Sequence, residues 1–288
     1  MRVKSPSAFS IFTTVPLQDD RQAMNTVILI PARYQSSRYP GKPLVSLKGS
    51  SGVAKPLIHR SVEAARRVTG VSGVFVVTDD ERIADVCTAV GVGVIMTSPE
   101  CRNGTERCAE ALSSLHSPDL IINFQGDALL TPPLFVEALI ERMREDLDAL
   151  VATPALRLRS REVRALQAEE SAGRVGGTSV VTDAAGRALY FSKRLIPHLP
   201  AGALEEDMSP VRLHVGVYAY RPEALERYMA TPVSELETLE GLEQLRFLAA
   251  GVPVAVADVP TPAFALRELN NPEDVGPIEQ ALAQAGLE

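Results

Sequence analysis

Blocks of apolar residues alternate with polar, charge-rich segments from residue 26 onward, and their periods switch between those of strands and helices. TVILIPA (26–32) is an uncharged run that predicts a strand buried on both faces of a parallel sheet. KPLIHRSVEAARRVT (55–69) places Leu57, Ile58, Val62, Ala65 and Val68 on one helical face. GVFVVTDD is a second strand, ERIADVCTAVG a helix stopped by Gly91, and VGVIMT a third strand. NGTERCAEALSSL begins a helix with Thr105 near its start. LIINFQGDALL is a fourth strand from Leu120, and PPLFVEALIERMRED a helix opened by prolines. This alternation predicts an α/β fold with a doubly wound, mostly parallel sheet over 26–150.

After residue 150 the pattern changes. DALVATPALRL, SVVTDAAGRALYFSK and LHVGVYAYR are strand-like, with an AAGR turn that predicts a hairpin. SELETLEGLEQLRFLAAG reads as one amphipathic helix ending at Gly251. VPVAVADV is a further strand, and NPEDVGPIEQALAQAG a closing helix. The expected organisation is a disordered extension over 1–25, a nucleotide-binding core over 26–150, and a smaller β-rich acceptor-binding and dimerisation lobe over 151–288 that returns to the core.

Four polar clusters fall at or just after predicted strand ends: Arg33–Lys42, Thr78–Asp80, Asn103–Arg107 and Gln125–Asp127. In open α/β sheets, ligands sit outside the carboxyl ends of the strands, so this convergence marks a site. The net charge of −7 argues against a nucleic-acid partner and makes each local cationic cluster significant. Arg33, Arg38 and Lys42 lie within ten residues, where they repel one another unless an anion joins them. A solvated basic loop is the plain alternative. Asp127 suits either a turn or a magnesium ion shared with phosphates. The three cysteines have no CxxC spacing and read as reduced thiols of a cytoplasmic protein. No apolar run approaches the ~20 residues that span a bilayer.

PARYQSSRYPGKPL, VVTDD, NGTERCAE, NFQGD, ALYFSK, HVGVYAYR and LEGLEQLR occur in the order and spacing of the 3-deoxy-manno-octulosonate (Kdo) cytidylyltransferases, which this sequence resembles over roughly residues 26 to 288. The resemblance implies transfer of CMP from CTP to the anomeric hydroxyl of a 3-deoxy-2-keto acid sugar, with pyrophosphate released. It implies that Arg33 and Lys42 hold the triphosphate with Arg38 nearby. Thr78, Asn103, Gly104 and Thr105 line the nucleotide side, and Arg107 supports that wall. Asp127 corresponds to a Mg2+ ligand. Gln125, Lys193, His214, Tyr218, Glu243 and Gln244 form the acid-sugar pocket. A homodimer built through the lobe after residue 150 is also implied.

The resemblance breaks at four positions. Ala128 replaces a glutamate, and Asn270 stands where a second metal-binding aspartate is expected, offering a carbonyl oxygen without charge. Lys193 replaces an arginine and Ser179 a lysine. These departures leave two alternatives to ordinary Kdo transfer. One is a different acidic acceptor, such as a modified Kdo, another acid sugar or a phosphonate. The other is a nucleotide-binding relative with little or no turnover.

Overall fold

The computed structural model describes residues 24–36 and 38–288. The extension expected over 1–25 lies outside the described residues except for Met24 and Asn25.

β1 (Thr26–Ala32) is buried at every position, as its uncharged sequence requires. It feeds the basic loop, which ends in a single 3-10 turn at Lys42–Leu44. The short hairpin β2 (Ser46–Lys48) and β3 (Ala54–Pro56) follows. Then come α1 (Leu57–Arg66), β4 (Gly73–Thr78), α2 (Glu81–Ala89), β5 (Gly93–Met96), α3 (Gly104–Ala111), β6 (Leu120–Phe124) and α4 (Pro133–Glu145). The Asp80 side chain caps α2 by accepting from Arg82 N at 3.0 Å, and Gly91 closes that helix segment with φ 66°.

The second half comprises β7 (Val151–Arg159), α5 (Ser160–Ser171), β8 (Ser179–Thr182), β9 (Ala188–Ser192), β10 (Met208–His214), β11 (Val217–Tyr220), α6 (Pro222–Ala230), α7 (Glu235–Glu240), α8 (Leu245–Ala249), β12 (Val254–Val259) and α9 (Val275–Ala285). Its strands join the first half in one sheet of order β5-β4-β1-β6-β11-β7-β10-β8-β9, with β12 paired to β7. The pairings leave β1, β4, β5, β6, β7, β8 and β12 running one way and β9, β10 and β11 the other. The sheet is therefore mostly parallel, with its antiparallel members beside β6 and toward one edge. One core packs Ile28, Ile30, Val76 and Ile122 against α1, α2 and α4. The opposite face packs Leu29, Val77 and Ile121 with α3, α6 and α8. Among the described residues, no helix is long and apolar enough to cross a membrane.

Two elements depart from expectation. The single helix predicted over 234–251 is two helices, because Gly241 adopts the left-handed conformation (φ 59°) and ends α7. The strand predicted through HVGVYAYR is interrupted at Val215–Gly216, where Val217 N turns back to Val215 O at 2.7 Å. His214 and Tyr218 therefore end one strand and begin another rather than sharing one. Both breaks fall in the candidate site.

Candidate active site

The basic loop leaves β1 and faces the turn that follows β6. Lys42 Nζ lies 2.6 Å from Asp127 Oδ2, both half-buried, so the loop is pinned to the QGD turn by an ion pair. Gly126 makes that turn possible: a Cβ there would stand 2.6 Å from the Pro31 carbonyl oxygen at the end of β1. Arg38 donates to Asn270 Oδ1 at 2.9 Å, which brings the segment before α9 to the same place. Arg33 is exposed, with one long contact to the Arg102 carbonyl at 3.5 Å. Arg33, Arg38, Lys42, Asp127 and Asn270 are thus gathered at the sheet's carboxyl edge, as a polyphosphate site requires.

Thr78, Asn103, Gly104, Thr105 and Arg107 form the adjacent wall. The Asn103 side chain caps α3 by accepting from Glu106 N at 2.8 Å and donates to the Tyr228 hydroxyl at 2.9 Å. Thr105 bonds the Tyr220 hydroxyl at 2.9 Å. Thr78 is fully buried. Arg107 is also buried, and its guanidinium is shared among Thr97, the Ser98 carbonyl and Asp79. Arg107 therefore holds the β4 and β5 ends together and props the wall from behind.

The candidate acceptor pocket lies on the α3 side of the sheet. Rings of Phe191, His214, Tyr218, Tyr220 and Phe247 run in sequence with centroids 5.1–5.7 Å apart. His214 Nε2 lies 2.9 Å from Thr153 Oγ1, which itself donates to the Val217 carbonyl at 2.8 Å. A hydroxyl has one proton, so Nε2 is the donor and Nδ1 keeps its lone pair. Burial pushes the His214 imidazole down to about 3, which keeps it neutral. His214 therefore presents a neutral acceptor. Burial raises the Glu243 carboxyl above the usual range; it accepts from Thr105 N at 3.2 Å and from Gln125 Nε2 at 3.4 Å. The break at Gly241 is what turns Glu243 and Gln244 toward the sheet. The Lys193 ammonium lies over Gly241, where a Cβ would come within 2.9 Å of it.

The sequence reading missed several residues here. Glu240 accepts from Ser192 Oγ at 2.8 Å and from Lys193 N at 2.9 Å, fixing the end of β9. Arg246 is buried between Glu237, at 2.6 and 2.7 Å, and Glu106 at 3.2 Å, so it ties α7 and α8 to α3. Asn123, inside β6, is also fully buried. Glu268 is exposed, and the nearby charge of Asp127 is the main cause that pushes its carboxyl up to about 7.

The donor set suits magnesium. Asp127 and Glu268 are mutually repelling carboxylates beside a phosphate-type loop, and hard oxygen donors supplemented by substrate phosphates are what Mg2+ takes. Among the described residues there is no group of three or more His, Cys, Asp or Glu side chains that could hold a metal ion. Asn270 Oδ1 is engaged by Arg38, and its amide serves Glu268.

The family model described as cytidylyltransferase matches residues 27–255. The chain is 38% identical to a 3-deoxy-manno-octulosonate cytidylyltransferase of Maricaulis maris (strain MCS10), with 91% of this chain and 99% of that protein covered. It is 37% identical to an 8-amino-3,8-dideoxy-manno-octulosonate cytidylyltransferase of Shewanella piezotolerans, covering 90% and 99%. A solved structure of CMP:2-keto-3-deoxy-manno-octonic acid synthetase complexed with CTP superposes with a TM-score of 0.77 at 36% identity, over 91% of this chain and 99% of that one. The strand-end cationic loop, its aspartate partner and the aromatic pocket beside them therefore belong to a member of the cytidylyltransferase family, within the group of 3-deoxy-manno-octulosonate cytidylyltransferases.

Proposed function

We propose that this protein transfers CMP from CTP to the anomeric hydroxyl of Kdo and releases pyrophosphate. The observation that carries the reading is the placement of the Lys42–Asp127 pair beside a pocket whose groups at neutral pH are hydrogen-bonding rather than cationic, apart from Lys193 at its rim. Arg33, Arg38 and Lys42 bind the triphosphate and offset charge on the leaving pyrophosphate. Asp127, with Glu268, would hold Mg2+, which when bound neutralises phosphate charge and fixes phosphate geometry. The pocket holds the acceptor so that its anomeric oxygen lines up with the α-phosphorus. That oxygen bonds to phosphorus, the α–β bridging oxygen departs with pyrophosphate, and the hydroxyl proton is released. No covalent enzyme intermediate is needed, and the catalysis is positioning plus charge stabilisation.

The similarity to an 8-amino-Kdo enzyme supports a second acceptor, the 8-amino analogue. A homodimer is supported by the exposed apolar side chain of Leu189 on β9, 62% exposed at the end of the strand path. Three buried thiols support a cytoplasmic setting.

The test is pyrophosphate release from CTP and Mg2+ with Kdo, 8-amino-Kdo, a neuraminic-type acid and a small phosphonate. The reading expects Kdo or its 8-amino analogue to give the highest kcat/KM. A best signal with the neuraminic acid or phosphonate would replace the acceptor, and CTP binding without turnover would replace the enzyme by a nucleotide-binding protein.

A further inference from the structure

Asn123 sits inside β6 and is 0% exposed, yet neither its Oδ1 nor its Nδ2 has a hydrogen-bond partner among the described residues. Buried carboxamides are ordinarily paired at both ends, so a side chain with neither end satisfied calls for a reason. Its position supplies one. In the sheet Asn123 stands directly opposite Tyr218 of β11, so the two side chains share the pocket face. Gly104, at the start of α3, covers it. A Cβ on Gly104 would lie 3.3 Å from Asn123 Nδ2 and 3.1 Å from Gln125 Nε2, so both amides converge beneath a backbone that only glycine leaves open.

We propose that Asn123 is a further acceptor-binding residue, whose carboxamide donates to and accepts from hydroxyl groups of the polyhydroxylated acid. This inference rests on the cytidylyltransferase reading. The roof over Asn123 is held by the longer contacts of Glu243, 3.2 Å to Thr105 N and 3.4 Å to Gln125 Nε2. Glu243 belongs to a non-helical junction after the left-handed Gly241, so the acceptor reaches Asn123 by displacing Glu243. Unlike a cation, a carboxamide reads a hydroxyl through both donor and acceptor, which gives discrimination among sugars of equal charge.

The test is Asn123→Leu, which replaces the orphan amide by an apolar group of similar shape, read by three measurements: thermal midpoint, CTP affinity and acceptor KM. The expected result is a midpoint equal to or above that of the wild type, CTP affinity within about twofold, and a rise of about tenfold or more in acceptor KM. Removing single hydroxyls from Kdo should weaken the wild type but leave the variant indifferent at one position. Should Asn123→Leu not fold, Asn123→Ala serves, read by acceptor KM and CTP affinity, with the same rise in acceptor KM at CTP affinity within about twofold expected. An unchanged acceptor KM, which is what a purely structural trapped water would give, overturns the proposal. So does a lowered midpoint accompanied by equal losses for CTP and acceptor. Failure of the wild type to turn over any acid sugar would count against the function reading itself, whereas turnover by the wild type with KM unmoved in the variant counts against Asn123 alone.

Discussion

The Lys42 ammonium and the Asp127 carboxylate meet at 2.6 Å, joining a loop from the end of β1 to a turn at the end of β6, 85 residues later in the chain. The two side chains keep 20% and 15% of their surface, so the pair is neither a solvated surface contact nor a fully buried one. Under the proposed function it would hold the site together before the nucleotide arrives, after which Lys42 would pass to phosphate and leave Asp127 to magnesium. Asp127→Asn is expected to lower kcat/KM by about 100-fold or more. Lys42→Met is expected to weaken CTP binding, and the double variant should cost less than the two effects combined. Steady-state pyrophosphate release and CTP titration check all three, and full additivity would show that the pair is incidental.

Arg246 is 1% exposed and serves two glutamates while its guanidinium carbon lies 4.0 Å from the centre of the Tyr228 ring. Removing the arginine leaves Glu237 buried without its guanidinium partner, while Glu106 keeps Arg102. Arg246→Met is expected to cost about 3–5 kcal/mol in urea unfolding. A loss below about 1 kcal/mol would mean that solvent or repacking replaces the arginine.

His214 gives a pH dependence with a definite sign. Its imidazole falls from 6.5 to about 3 in the fold through burial. Between those values the unfolded chain binds a proton that the native pocket refuses, so acidification through that window favours unfolding. His214→Gln is expected to flatten the acid side of the stability profile between pH 6.5 and 3, measured by denaturant unfolding at several pH values. Parallel profiles for the two proteins would contradict a buried neutral histidine.

Gly126→Ala tests the turn that carries Asp127. Its Cβ would meet the Pro31 carbonyl at 2.6 Å, and both partners are backbone, so the turn must move. An ångström of misplacement at a reacting centre costs on the order of 100-fold in rate, and a fall of that size is expected with circular dichroism unchanged. Near-wild-type kcat/KM would show that the turn absorbs the methyl group.

Much of the fold was legible because its signals are local. TVILIPA and LIINF are apolar on every face, and only a strand covered on both sides accommodates that. The stop at Gly91 follows from its left-handed conformation, which helix ends favour. The same signal at Gly241 was outweighed by an apolar periodicity running through LEGLEQLRFL. The left-handed Gly241 breaks that helix, with Leu242 N turning back to the Glu237 carbonyl, and Arg246, held by Glu237 and Glu106, fixes α8 after the break. The cationic loop and Asp127 were legible as strand-end polar clusters. Asn123 left a trace, a lone amide in a buried strand, but its missing partners appear only once Gly104 closes over it. Glu268 left none, because its neighbour Asp127 lies 141 residues earlier in the chain.

The most direct measurement is product identification after incubation with CTP, Mg2+ and Kdo, by mass spectrometry alongside pyrophosphate release. The account predicts a CMP-sugar with CMP on the anomeric oxygen, one pyrophosphate per sugar activated, and CTP preferred over UTP. Tight CTP binding with no CMP-sugar formed from Kdo or its 8-amino analogue would contradict it.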